Sequence, residues 1–261
     1  MEYPVPTTRG LTLFWPDVEF HNLHINHDKL DWLKAFDILD CHREVDDFDL
    51  FLDTVWTVSV HEKVSGESSI IAADNLNGLA VLTTGSGINN WIEAIWPNET
   101  WQLIAGYPLL FAARVSVADA DKCGAWVGLV KKPGWYAGTT DYVVFWKPAT
   151  NATLLFSYCK NGAAVNIDTG IGAVDDDFIR LYFHFDGQGA LRWFVMKDED
   201  YPQTCLAAGE VVAPIVAGVP CVPWPDDELL TKGFGARTGE ADHNMAFIDF
   251  LKVAQKRAFE P

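Results

Sequence analysis

The sequence has few basic residues: Lys and Arg number 19 against 36 Asp and Glu, which gives a formal net charge of −17. Nucleic acid is bound through a dense Lys/Arg footprint, and an anionic membrane surface attracts the same residues. The shortage therefore argues against both partners. The longest apolar stretch, residues 211–224, is too short to span a bilayer, and prolines interrupt it. We therefore expect no transmembrane helix.

Cysteine motifs are also absent. The five cysteines are odd in number and include no C-x-x-C pair, a pattern typical of free thiols in a reducing compartment. The chain starts with MEYPVP, in which no basic stretch precedes an apolar one, so we expect no secretory signal and folding in the cytoplasm. The cysteines are Cys41, Cys123, Cys159, Cys205 and Cys221.

Apolar and aromatic residues are abundant, at 49% and 13% of the chain, and 11 of them are tryptophans. This apolar content is sufficient for a large hydrophobic core. From about residue 54 to 256 the dominant period is two, as in 111–117, where Phe, Ala, Val and Val alternate with Ala, Arg and Ser. Segments 181–185 and 191–195 alternate in the same way around a turn with two glycines, which predicts a hairpin.

Eight further segments are predicted to be strands: 54–60, 70–73, 79–83, 92–95, 125–130, 142–147, 154–160 and 247–254. Turn signals separate many of them and no helical run intervenes, which favours an antiparallel sandwich over βαβ units. Most tryptophans fall within alternating segments, so we expect them in the core. Trp135 and Tyr136 follow the turn residues Pro133-Gly134 and are expected to form an exposed aromatic contact.

Residues 1–47 are predicted to be an arm with one short helix, beginning near Asp28 and carrying Leu30, Leu33 and Phe36 near one face. An apolar arm must be buried either on its own sandwich or on another subunit. The sandwich is assigned to residues 48–257 and a C-terminal tail to residues 258–261. The candidate partner contacts in the arm are Phe14, Trp15, His21, His24, His27 and Trp32.

Three polar clusters are candidates for chemistry, and none has a complete motif. Residues 44–49 (EVDDFD) partly match the alternating E-x-D-x-E strand of laminarinase-like glycosidases, but Phe48 stands at the third position, so we interpret them as a solvated turn. The three arm histidines have no cysteine nearby to complete a zinc site. Residues 175–177 (DDD) lack the calcium-loop pattern and are interpreted as a solvated turn. We predict no catalytic, metal-binding or cofactor-binding residues.

The order of strand-level features along the chain carries a resemblance to a known group of proteins. These features are Phe48 with Trp56-Thr57-Val58, GLAVLTT at 78–84, LLFAARV at 109–115, VGLV at 127–130, DYVVFWK at 141–147, DTG at 168–170, FDG at 185–187 and FIDFLKVAQKR at 247–257. Over roughly residues 48–257 the chain resembles the concanavalin A-like (laminin-G-like) structural proteins of tailed bacteriophages. The resemblance implies an all-β, two-sheet antiparallel jelly-roll sandwich without an enzymatic site.

The resemblance also implies a role as a virion component. The leading expectation is a capsid decoration (cement) protein, made in the host cytoplasm, that binds the major capsid protein on the outer shell and bridges capsomers. Homo-oligomerisation as a trimer is expected from the places where cement proteins sit. The alternative is a carbohydrate-binding, lectin-like module displayed on the virion, with a glycan as its partner. A glycosidase or polysaccharide lyase activity is the third hypothesis.

Overall fold

The computed structural model describes residues 41–46, 48, 55–62, 67–73, 78–136, 138–198, 204–216, 219–220 and 222–256. Within these ranges the regular structure consists of β-strands. They are β1 Cys41–Asp46, β2 Thr57–His61, β3 Ser69–Ala73, β4 Leu79–Thr83, β5 Trp91–Ile95, β6 Leu109–Val117, β7 Cys123–Val130, β8 Tyr142–Lys147, β9 Thr153–Lys160, β10 Ala163–Gly172, β11 Ile179–Phe185, β12 Ala190–Lys197, β13 Cys205–Val212, β14 Ile215–Val216, β15 Val219–Pro220, β16 Thr231–Thr238 and β17 Met245–Lys256. The described residues include no helix long and apolar enough to cross a membrane.

Two antiparallel sheets pack face to face. One has eight strands in the order β13-β12-β11-β6-β17-β4-β3, with β1 beside β17, and the other has seven in the order β10-β9-β8-β7-β16-β5-β2. Many neighbours are far apart in sequence: β6 lies between β11 and β17, and β16 lies between β5 and β7. The predicted jelly-roll sandwich is confirmed.

The core between the sheets follows from the alternation along each strand. Phe111 and Phe183 stack with ring centroids 4.6 Å apart, and Phe156 lies 6.0 Å from Trp193. All four side chains are buried. Burying one such side chain stabilises the fold by about 1.5–3 kcal/mol. The inward faces predicted for 111–117, 181–185 and 191–195 are therefore confirmed.

Strand β1 corrects one prediction. The solvated turn expected over residues 44–49 is wrong for 44–46, which pair antiparallel with β17 in a register that runs from Cys41↔Lys256 to Asp46↔Leu251. The physical reason is the length of β17. Because β4 pairs only with the first four residues of β17, the backbone N–H and C=O groups farther along that edge need another partner, and β1 supplies it. Phe48 then points inward, with its ring 5.2 Å from that of Phe234. The division between arm and sandwich stays a prediction for residues 1–40, which lie outside the described ranges, as does the tail.

Two smaller predictions are confirmed within the described residues. Cys123, Cys159 and Cys205 are free thiols. Burial raises the pKa of Cys123 to about 12, so this thiol stays protonated at neutral pH. Residues 175–177 form an exposed turn.

A cluster of two arginines and two aspartates lies on the outer side of the eight-stranded sheet. Arg114 contacts Asp198 at 2.6 Å and Asp249 at 2.8 Å, and Arg180 contacts Asp198 at 2.8 Å. Burial alone would raise the pKa of Asp198, but hydrogen bonds and charge from both arginines outweigh it, so this pKa lies below its ordinary value. The cluster joins β6, β11 and β17 to the end of β12.

We expect Asp198→Asn to lower the free energy of unfolding by about 1–2 kcal/mol at pH 7, because the partly buried guanidinium groups of Arg114 and Arg180 would lose their shared negatively charged partner. A depressed carboxyl pKa stabilises the fold above the ordinary value of 3.8, and this contribution is lost as the pH falls through the folded-state pKa. Urea denaturation at several pH values should therefore show the two proteins converging below about pH 4. An equal difference at pH 3 and pH 7 would contradict this.

Candidate functional site

The outer side of the seven-stranded sheet carries a second aromatic cluster, separate from the core. Three cross-strand pairs place side chains of four neighbouring strands on this side: Trp126↔Trp146, Trp126↔Gly235 and Gly235↔Glu93. We call this surface the aromatic face. Its rings belong to Trp91, Trp126, Trp135, Tyr136, Tyr142 and Trp146.

The loop between β7 and β8 folds back onto the aromatic face. Trp135 stacks on Tyr142 with ring centroids 4.8 Å apart, and its ring lies 5.9 Å from Trp126 and 5.5 Å from Trp146. Trp126 is buried beneath it, while Trp135 and Tyr136 are half-buried. The pair expected to be exposed is thus half-buried, because both rings pack on the chain's own sheet. Their role as partner contacts stays a prediction.

Glu93 anchors this loop from the middle of the face. Its side chain is fully buried, and Oε2 accepts a hydrogen bond of 2.9 Å from the backbone N–H of Tyr136. Gly134 has φ of +129°, and a Cβ there would lie 2.4 Å from Oε1 of Glu93, so only glycine permits this approach. Burial also raises the pKa of Tyr136 above its ordinary value. The carboxylate is thus closed to solvent by the loop it holds.

Glycines of β16 make room for the central indole. A Cβ on Gly235 would lie 2.3 Å from Nε1 of Trp126, and one on Gly233 would lie 2.8 Å from the far edge of the same ring. Trp126 therefore lies across the backbone of β16. The aromatic face requires this close approach, and with it the two glycines in the middle of a central strand.

One end of the aromatic face is polar. His61, Trp91 and Arg237 lie side by side in the ladder, and the His61 and Trp91 rings stack with centroids 6.0 Å apart. Arg237 donates a hydrogen bond of 2.7 Å from Nη2 to Oδ1 of Asn89, and no described ion pair joins it to a carboxylate. His61 and Asn89 are exposed, while Trp91 and Arg237 are half-buried. We call these four residues the polar end.

The polar end combines a flat apolar surface with donors and acceptors around it. An indole supplies a stacking surface, a guanidinium supplies donors, and an amide and an imidazole supply both donors and acceptors. Such a combination can hold a ring-shaped polar ligand by stacking and hydrogen bonds.

The candidate residues predicted from the sequence lie in different parts of the chain's structure or outside the described ranges. Trp135 and Tyr136 lie on the aromatic face, whereas Glu44 and Asp46 lie on β1 in the other sheet. The arm residues Phe14, Trp15, His21, His24, His27 and Trp32, and the helix predicted near Asp28, lie outside the described ranges.

The polar end was not predicted from the sequence. Its four members come from β2, β5, β16 and the loop before β5. The only sequence signal was the alternation of Trp91, Glu93 and Ile95 on one side of a strand.

Comparison with known proteins identifies the fold. No family model matches the chain, and no curated protein sequence matches it. A protein of unknown function from Shewanella oneidensis MR-1 is similar, with a TM-score of 0.56, 14% identity and coverage of 90% of this chain and 95% of that chain. An endo-1,3-β-glucanase from Streptomyces sioyaensis has a TM-score of 0.57 and 11% identity over 85% and 99% of the two chains.

A lectin-like protein is similar to the same degree. Arcelin-5, a lectin-like defence protein of Phaseolus vulgaris, has a TM-score of 0.55 and 12% identity over 84% of this chain and 100% of that chain. The chain therefore has a concanavalin A-like, lectin-like sandwich. Because a glucanase and a lectin-like protein share this fold, function must be argued from the site.

We expect Gly235→Ala to lower the free energy of unfolding by about 1–3 kcal/mol, because the new methyl group would collide with the Trp126 indole. Gly172→Ala on β10 is the matched control: its Cβ would meet only the Cβ of Ala152, at 3.9 Å. Thermal or urea unfolding monitored by tryptophan fluorescence measures both variants. Equal stabilities of the two variants would refute the close packing of Trp126 on β16.

Proposed function

We propose that the chain is a non-enzymatic carbohydrate-binding module of the lectin type, and that the polar end of the aromatic face is its binding site. The half-buried indole of Trp91, flanked by His61, Asn89 and Arg237, carries the proposal. A sugar ring presents an apolar C–H face and a rim of hydroxyl groups. The indole matches the first and the polar side chains match the second.

The site is held in place before any ligand arrives. Trp91 lies on β5 between β2 and β16, and its ring centroid lies 6.0 Å from that of His61 and 5.8 Å from that of Tyr136. Arg237 is oriented by its hydrogen bond to Asn89. Side chains fixed on strands lose little conformational entropy on binding, which favours affinity for a small ligand.

The carboxylates of the aromatic face favour binding over hydrolysis. Glycosidases use two carboxyl groups about 5 to 9.5 Å apart. On the described strands of this face, Glu93 lies on β5 and Asp168 on β10, five strand spacings away, or about 24 Å. Glu93 is moreover closed to solvent by the β7–β8 loop. This separation supports the non-enzymatic part of the proposal.

We expect the protein to bind at least one member of a polysaccharide panel comprising a β-1,3-glucan, a β-1,4-glucan, a mannan and a galactan. Trp91→Ala should weaken that binding at least tenfold in affinity electrophoresis or calorimetry, because it removes the stacking surface. Ile71→Ala is the control, since Ile71 is 55% exposed on the other sheet.

Absence of binding across this panel and a glycan array would contradict the proposed function. Binding that Trp91→Ala leaves unchanged would place the site elsewhere. Trp135→Ala, on the neighbouring loop, separates direct contact from support. Loss of binding with an unchanged melting temperature would make Trp135 a ligand contact.

Capsid decoration is the second candidate function. It is favoured by the net charge of −17, which suits a surface turned away from packaged nucleic acid. In this role the sandwich binds the major capsid protein on the outer surface of a virion, as a homo-oligomer that we propose to be a trimer. A virion-displayed glycan-binding module would satisfy both candidates.

Quantitative mass spectrometry of purified particles tests the second candidate. A decoration protein should be present at hundreds of copies per virion, because it repeats with the capsomers. Absence from mature particles, or a copy number typical of tail parts, would contradict decoration.

A further inference from the structure

The outer side of the eight-stranded sheet carries, beside Arg114, Arg180 and Lys252, a group of buried and mostly apolar side chains. Cross-strand pairs such as Tyr182↔Ala112, Tyr182↔Phe194 and Ala254↔Leu110 put these side chains on the side away from the core. We call this surface the back face. It consists of Leu110, Ala112, Tyr182, His184, Phe194, Met196, Phe250 and Ala254, and each of these residues is at most 8% exposed.

The burial of the back face has clear limits. On the same side of the same sheet, Ile71 on β3 is 55% exposed, Val212 on β13 is 60% exposed and Met245 at the start of β17 is 40% exposed. The residues at most 8% exposed lie on β6, β11, β12 and the second half of β17. A layer therefore covers four adjacent strands and leaves the edges of the sheet open to solvent.

The described strands do not supply this layer. The seven-stranded sheet packs on the opposite side, against the core faces of the same strands. The hairpin of β14 and β15 has two residues in each strand, or about 7 Å of length. Four strands are roughly 15–20 Å wide. Neither the strands nor this hairpin therefore accounts for the cover of the back face.

Residues 1–40 are the longest segment outside the described ranges. Residue 40 precedes β1, in which Arg43 pairs with Ala254 of the back face. Forty residues can span far more than the width of four strands. The segment is also rich in large apolar side chains, among them Phe14, Trp15, Phe20, Trp32 and Phe36.

We propose that residues 1–40 of the same chain cover the back face. Contiguous apolar patches of this size are rare on exposed surfaces, so the face requires an apolar cover. A segment tethered beside the face supplies one at high effective concentration, with no need for a second copy. The arm aromatics then pack on their own sheet, and the aromatic face on the opposite side of the sandwich remains the surface open to partners.

The native methionines provide a first test in the full chain. Met196 is 1% exposed on the back face and Met245 is 40% exposed at its border, so Met245 is an internal control. A protease site inserted after Asp40 allows the arm to be removed from folded protein. We expect arm removal to raise the rate of Met196 oxidation by hydrogen peroxide at least tenfold and that of Met245 less than twofold, by peptide mass mapping. An unchanged Met196 rate after verified loss of residues 1–40 would overturn the proposal.

Photo-cross-linking provides a second test that does not depend on cleavage. Phe194 on the back face is replaced by p-benzoylphenylalanine, and Asn166, exposed on the other sheet, is replaced in the control. We expect cross-links from position 194 to residues 1–40 and few from position 166. In a mixture of ¹⁴N and ¹⁵N chains, cross-linked peptides should carry one isotope. Mixed-isotope peptides would assign the cover to a second copy, and cross-links that avoid residues 1–40 would assign it to another segment; both would overturn the proposal.

Discussion

The aromatic face depends on one close approach, that of the Trp126 indole to the backbone of β16. The ring fits only because Gly233 and Gly235 have no side chains. With the indole flat on the sheet, Trp135 and Tyr136 pack above it and bring the β7–β8 loop over Glu93. The loop in turn places Tyr136 against Trp91 and so supports the polar end. A central strand of low apolar content thus organises the surface on which a ligand is proposed to bind.

Much of the sandwich could be predicted from the sequence, because two-residue alternation marks strands with one buried face. The limits of β4 and β8 match the predicted segments 79–83 and 142–147, and the hairpin of β11 and β12 was also predicted. Strands without that signal were missed. β16 carries glycines that serve packing rather than periodicity, and most side chains of β10 are exposed. β1 was missed because its partner, the second half of β17, is distant in sequence.

The candidate site was harder to predict, for a physical reason. His61, Asn89, Trp91 and Arg237 come together only through the pairing of β2, β5 and β16, and sequence spacing carries no trace of that pairing. Alternation also cannot tell the two sides of a sheet apart when both are apolar. Trp126 and Trp146 were expected in the core for this reason, whereas Trp101 and Trp193 do lie there. Tryptophans on the outer side of a sheet are the ones available for ligand or loop contacts.

The central claim is that the polar end of the aromatic face contacts a carbohydrate. Its most direct test is NMR of the indole N–H groups, assigned by tryptophan substitution, during titration with oligosaccharides of the polysaccharide panel. The account predicts that the Trp91 resonance shifts in a saturable way, while those of the core residues Trp101, Trp193 and Trp224 stay in place. A saturable shift confined to other indoles, or no shift with any oligosaccharide, would contradict it.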